Sequence, residues 1–295
     1  LKVKPDIVHL ISAKAIILGG LNSFICRVRN LVISITGLGS IFINKNSVSL
    51  IIKFFIKFFY KIIFKFSNLK VIIQNRSDLN YLVKHTNLNK NKVKIIKGMG
   101  VDLRLFNYSK INNKIPVVLM ASRIIADKGI FEFIQAAKYI KKLNIKAKFY
   151  LVGEIDYANP TFISKKKINN WKREKLIKFL NYNKNISNIL KKSSIVVLPS
   201  YREGFPKILI EAAACGRPVV TTNVPGCKDT IINGSTGILV PVKNSRKLAE
   251  AIIELCLNKK KLQSMSIKAR KHAELYFDVN DVVNKHLSIY KSLLQ

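Results

Sequence analysis

The stretch from Ile195 to Gly216 does most to restrict what this chain can become. Ile195-Val196-Val197-Leu198 is a short apolar run rich in β-branched residues, which reads as a fully buried strand. Pro199 to Lys207, with Gly204 at its centre, breaks the run. Pro206 sits where a helix favours its first proline, and Gly216 where a helix favours its terminating glycine. The order is therefore strand, glycine turn, helix. Such a helix start leaves unpaired N–H groups and a positive dipole end facing the loop, which suits a phosphate. Glu203 in the loop and Glu211 in the second helical turn lie eight residues apart. Carboxylates of this kind accept from the hydroxyls of a ribose or hexose, so the pair points to a nucleotide-sugar. An ordinary strand-loop-helix unit with surface glutamates explains the stretch as well, and the stretch alone does not separate the two.

Upstream, the chain alternates strand and helix patterns: strands at 6–11, 31–36, 71–75 and 93–96, helices over 13–26, 49–66 and 77–85. This is the pattern of a parallel sheet. Gly98 to Asp102 and the polar stretch 109–116 predict a hinge. The alternation then restarts, with strands at 117–121, 148–152, 195–198, 218–222 and 237–240, a polar loop over 155–170, and closing helices over 245–257, 260–276 and 279–294. Three parts are expected: a first domain over 1–109, a second domain over 110–278, and a C-terminal helix over 279–295 that packs back on the first. In open parallel sheets, ligands sit at the carboxyl ends of the strands. Arg123, Lys128, Glu154, Glu203 and Glu211 all follow strand ends, and that convergence favours a site over a coincidence of surface charges.

The formal net charge of +36 invites a nucleic-acid reading. Lysine, however, is dispersed among Ile and Asn along the whole chain, and no arginine-aromatic recognition motif is present, so nucleic acid is not expected as a partner. What the charge favours is anionic surfaces, whether a membrane or phosphorylated ligands. The four cysteines form no CxxC pair and no zinc spacing, which reads as reduced thiols. No DxD-like acidic pair or His cluster suggests a divalent ion, so neither metal nor cofactor is expected. His9, at the end of a buried strand, and Cys215, small and apolar in its helix, read as structural.

Between Ser49 and Phe66, lysines recur at 53, 57, 61 and 65 with Ile, Phe and Tyr between them. On a helix they form one narrow stripe with apolar residues around the rest of the circumference. That arc is wider than one packing face requires. One apolar flank is expected to pack on the domain and the other to lie on a membrane surface, with the lysines at the headgroups.

The residues then carry a resemblance. Glu203 to Glu211 resembles the E-x7-E motif of retaining glycosyltransferases (glycosyl transferases group 1, family 4 type) with the two-Rossmann-domain GT-B fold. Ser122-Arg123 through Lys128-Gly129 resembles that family's R-x4-KG loop. Gly226 to Asp229 and Asn233 to Val240 are similar to its downstream segments. Pro5-Asp6-Ile7-Val8-His9, Thr36-Gly37-Leu38-Gly39, Gln74-Asn75, Gly98 to Asp102 and Asn159-Pro160 resemble bacterial members that extend undecaprenyl-diphosphate-linked sugars for O-antigen or capsule.

The resemblance implies an α/β, GT-B chain whose first Rossmann-like domain is incomplete, with its earliest strands lying before residue 1. It implies transfer of a hexose or N-acetylhexosamine from a UDP-sugar to a polyprenyl-diphosphate-linked saccharide, on the inner face of the cell membrane. By the same implication Arg123 and Lys128 bind the donor diphosphate, and Glu203 holds hydroxyls of the transferred sugar. Glu211 accepts from the ribose, and the backbone around Gly204, Phe205, Pro206 and Lys207 cradles sugar and phosphate. Glu154 joins the donor side, and Thr36 and Gly37 stand on the acceptor side. Neither glutamate needs to be a covalent nucleophile. The alternatives are an inactive nucleotide-sugar-binding fragment and, on charge alone, a nucleic-acid binder.

Overall fold

The computed structural model describes residues 3–39, 42, 47–181 and 185–295. The chain divides into two compact units, Leu1–Gly100 with Val279–Gln295, and Val101–Asp278. The boundary thus falls at 100–101 rather than at 109–110, and the C-terminal helix is part of the first unit.

In the first unit, strands β1 (Ile7–Ile11), β2 (Asn30–Ile35), β3 (Leu69–Ile73) and β4 (Val93–Ile95) form one sheet in that order. All neighbours are parallel, with Ile7 opposite Asn30 and Leu31 opposite Leu69. Successive side chains of a strand point to opposite faces, and β2 uses both. Leu31, Ile33 and Ile35 join Ile16 of α1 (Ala13–Ile25), Ile56, Tyr60 and Ile63 of α2 (Ser47–Ile63), and Leu82 of α3 (Arg76–Thr86). Val32, with Ile72 and Ile96, meets Val282 and Ile289 of α10 (Val279–Leu294) on the other face. Covering a parallel sheet on both faces is why β2 carries apolar residues on both, from Leu31 to Ile33 and again at Ile35, with Ser34 between them. The cap of α3 is Asn75: its side chain accepts from the Asp78 N–H at 2.8 Å and donates to the Asp78 carboxylate at 3.0 Å.

The second unit holds β5 (Val117–Ala121), β6 (Lys148–Val152), β7 (Ile177–Leu180), β8 (Ile195–Leu198), β9 (Val219–Thr222) and β10 (Gly237–Val240). The order across the sheet is β10-β9-β8-β5-β6-β7, all parallel. Helices α4 (Ile130–Lys142), α5 (Lys165–Arg173), α6 (Ile186–Lys192), α7 (Lys207–Ala214), α8 (Ser245–Leu257) and α9 (Lys259–Tyr276) complete it. Helix α5 lies where the sequence predicted a loop. It is too polar for an apolar stripe, yet Ser164 caps its start and Ile168 and Trp171 are buried. Arg217, wholly buried, donates to the carbonyls of Ser193 at 2.7 Å and Cys215 at 3.1 Å, and to Ser109. It ties the segment leading into β5 to the one leading into β8. Burial lowers its pKa to about 10.

Candidate active site

Strands β5 and β8 are neighbours at the point where the strand order reverses. Connections leaving two such strands run to opposite sides, which opens a crevice at their carboxyl ends. The loop after β5 carries Arg123 and Lys128; the loop after β8 carries Ser200, Glu203 and Gly204.

Two glycines let these loops close on each other. Gly129 is left-handed, φ +76°, and a Cβ there would stand 2.2 Å from the Pro199 carbonyl oxygen. The Tyr201 N–H donates to the Asp127 carbonyl at 2.9 Å across the same seam. Gly226, φ +81°, plays the corresponding part for the loop after β9: a Cβ would meet the Glu203 carbonyl oxygen at 2.4 Å. Asp229 then accepts from the Gly226 N–H at 2.9 Å and holds that loop in shape.

Lys128 sits on a 3-10 turn, Ala126–Lys128, and its ammonium donates to Glu203 Oε1. The same oxygen accepts from Ser200 Oγ at 2.7 Å. Both partners of the ion pair are largely buried. A buried carboxylate or ammonium is strongly disfavoured alone, so each holds the other in the crevice. Arg123 is different: it is exposed, and its Nη1 donates to Asp156 at 2.6 Å. The loop after β6 therefore supplies Asp156 to this cluster. Glu154 of that loop is exposed and contributes its carbonyl, which accepts from the Ile124 N–H at 2.8 Å.

Helix α7 begins at Lys207, one residue later than Pro206 alone predicted. Pro206 is the N-cap, extended at φ −70°, ψ 116°. Phe205 turns its ring into the core, edge-on to Phe277 at 5.7 Å, so it anchors the loop by its side chain. Glu211 is buried in the second turn with Lys207 Nζ 3.3 Å away. Burial pushes the Glu211 carboxyl above its usual range, and Lys207 pulls it partly back. Gly216 takes a left-handed φ of +74° just past the end of the helix. Burial raises the thiols of Cys215 to about 11 and of Cys227 to about 12, leaving both protonated at neutral pH. Among the described residues no group of His, Cys, Asp and Glu has the arrangement of a metal site.

In the first unit, Thr36 is exposed on the rim of a cavity of about 390 Å³ at the ends of β1, β2 and β3. Ser34, Gln74, His286 and Tyr290 share its wall with His9. His9 bonds Ser34 Oγ at 2.8 Å and the Tyr290 hydroxyl at 2.7 Å, and burial with the nearby His286 lowers its pKa. Gly37, the residue after Thr36, has φ +132°.

Asp156 and Ser200 are members of the charged cluster that sequence reasoning did not single out. Ser200 had a local signal, three residues before Glu203. Asp156 had none beyond following a strand end, because its partner is 33 residues away.

Two parallel α/β units, the second carrying a charged crevice at its switch point, are the architecture of the GT-B fold. Solved structures of the same fold include Anabaena HepE in complex with UDP, at TM-score 0.80 and 21% identity over 97% of this chain and 79% of that one. Sucrose-phosphate synthase from Thermosynechococcus elongatus matches at TM-score 0.82 and 21% identity, over 98% and 74%. The chain belongs to the glycosyl transferases group 1 family, whose model matches residues 103–272. The N,N'-diacetylbacillosaminyl-diphospho-undecaprenol alpha-1,3-N-acetylgalactosaminyltransferase of Campylobacter jejuni is 31% identical over 88% of this chain and 70% of its own length. The UDP-Gal:alpha-D-GlcNAc-diphosphoundecaprenol alpha-1,3-galactosyltransferase of Escherichia coli is 28% identical over 98% and 76%. Both of these relatives are named as glycosyltransferases acting on undecaprenol-diphosphate-linked sugars.

Proposed function

We propose that the chain transfers a hexose or N-acetylhexosamine from a UDP-sugar to a polyprenyl-diphosphate-linked saccharide with retention of anomeric configuration, in surface-polysaccharide synthesis at the inner face of the cell membrane. The observation that carries this reading is the Lys128–Glu203 pair at the switch point of the second sheet. A diphosphate entering the crevice offers Lys128 a second anion, while Glu203 remains held by Ser200 as an acceptor for sugar hydroxyls. Arg123, exposed on the rim, exchanges Asp156 for phosphate oxygens. Preorganised cations at a departing nucleoside diphosphate stabilise charge where it develops, and that is the largest single contribution such a site makes. Glu211, at the amino-terminal end of α7, accepts from the ribose.

Incubation with UDP-sugars and a short-chain polyprenyl-diphosphate-linked saccharide tests the reading. UDP release, a lengthened acceptor and an axial linkage in the product by NMR are expected. Glu203→Ala should abolish turnover and Lys191→Ala should not. Equal activity of the two variants, or UDP binding without transfer to any such acceptor, would refute the reading.

A further inference from the structure

Helix α2 has two apolar faces, and the fold uses one. Ser49, Ile56, Tyr60 and Ile63 are buried in the core of the first unit. On the far side, Ile51, Phe54, Phe55 and Phe58 are 58%, 63%, 52% and 50% exposed. Their spacing of three, four and seven residues makes them one continuous stripe. A surface helix of a globular domain needs a single such stripe, toward its core. Four large side chains, three of them aromatic, held together in water on a rigid helix mark an interaction surface.

The charge beside the stripe identifies the partner. Lys57 and Lys61 follow one another at i, i+4 along one flank, between the buried and the exposed faces. There is no acid from 47 to 66; within residues 1–100 the acids are Asp6 and Asp78, and Asp78 is wholly buried at the start of α3. No helix among the described residues is long and apolar enough to cross a membrane. An aromatic face bordered on its flank by lysines is the form of a helix lying in the plane of a bilayer surface. Its rings reach the acyl boundary while the lysine stems rise along it to place their ammonium groups at the phosphates. A two-fold dimer through this face fits less well, since it would bring the cationic flank against its own copy, which has no acid from 47 to 66.

We propose that the outer stripe of α2 inserts into the headgroup boundary of an anionic bilayer, with Lys57 and Lys61 on the lipid phosphates, and holds the first unit on the membrane. This deepens the lipid-linked acceptor reading, on which its biological sense rests, by naming the face that meets the lipid. Its test uses neither donor nor acceptor, so the two readings fail separately.

The experiment is co-flotation of the chain with phosphatidylglycerol-containing vesicles against pure phosphatidylcholine vesicles. Binding to the anionic vesicles, weakened by salt, is expected. Combining Phe54→Ser, Phe55→Ser and Phe58→Ser should lower the partition coefficient at least about tenfold while leaving the circular-dichroism melt intact, since the rings are exposed. Lys57→Glu and Lys61→Glu should each cost about fivefold, and Lys260→Glu on α9 nothing. Absence of flotation at low salt overturns the proposal. So does undiminished flotation of the triple serine variant, or a wild-type dimer that the triple variant abolishes while vesicles remain unbound.

Discussion

The two sheets end differently at their carboxyl edges. Beyond β5 and β8 the groups are charged and answer one another: Lys128 with Glu203, Lys207 with Glu211, Arg123 with Asp156. Beyond β1, β2 and β3 they are neutral, with His9, Ser34 and Tyr290 bonded together in a cavity whose other walls include Ile11, Ile35 and Met99. The same parallel scaffold therefore offers one edge suited to a phosphate and another suited to an uncharged or amphipathic group. In the second unit each buried carboxylate waits beside a lysine, so an anionic ligand enters by exchange of partners and not by dehydrating a bare charge.

The largest expected effect tests whether that asymmetry carries function. Lys128→Ala should lower kcat/KM for a UDP-sugar by about 10²–10³, the size seen when one preorganised electrostatic group is lost, as read by UDP release. An equal loss from Thr36→Ala would show that the charged edge holds no privilege. Next in size is the frame beneath it. Arg217→Met should cost about 3 kcal/mol, because several buried carbonyls lose their donor. Trp171, the single tryptophan and a core residue of the second unit, reports the urea transition. A shift confined to first-unit probes would contradict the assignment of Arg217 to the second unit.

Gly226→Ala comes third. Its left-handed backbone and the 2.4 Å approach to the Glu203 carbonyl predict about 1–3 kcal/mol of strain, with KM for the donor rising as the loop shifts. A variant that melts earlier but binds UDP unchanged would separate the loop from the site.

The smallest effects oppose each other with pH. His9 has a lowered pKa in the fold, so it binds fewer protons folded than unfolded. The first unit then loses stability as pH falls below the ordinary histidine value of 6.5 and through the folded pKa. His9→Gln should flatten that loss, measured by hydrogen exchange of β2 amides. Glu211 is shifted upward, so its contribution is fully present below the ordinary carboxylate range and fades as pH rises through its folded pKa. Glu211→Gln should remove that decline from β8 amides. Parallel responses in both units would break the comparison.

Much of this was legible in the chain. The strands β5, β6 and β10 lie where apolar runs of four or five residues predict them, since a strand buried on both faces leaves a continuous signature. The Glu203–Glu211 spacing and the Arg123–Lys128 loop could be read because each is local, set by one turn or one helix start. The helix α5 was not legible. Two buried side chains, Ile168 and Trp171, are too few for a periodic signal, and packing against β7 decides the matter. The start of α7 moved by one residue because an N-cap proline and a first-turn proline look alike in sequence. On α2, the lysine repeat marked the helix, yet left open which of the two apolar sides faces inward.

What the sequence determined by itself is the alternation of strand and helix, the two parallel units and the positions from which charge could project. These follow from side-chain periodicity and backbone preference, which act over a few residues. Only the tertiary structure decided that Glu203 answers Lys128, that Arg123 takes Asp156, and that Arg217 ties two distant segments. It alone decided which residues of α10 meet the first sheet, Val282 and Ile289, and that α2 turns its phenylalanines outward. The reason is physical: such pairings join groups tens or hundreds of residues apart, and the chain specifies them through the free energy of burying every partner at once.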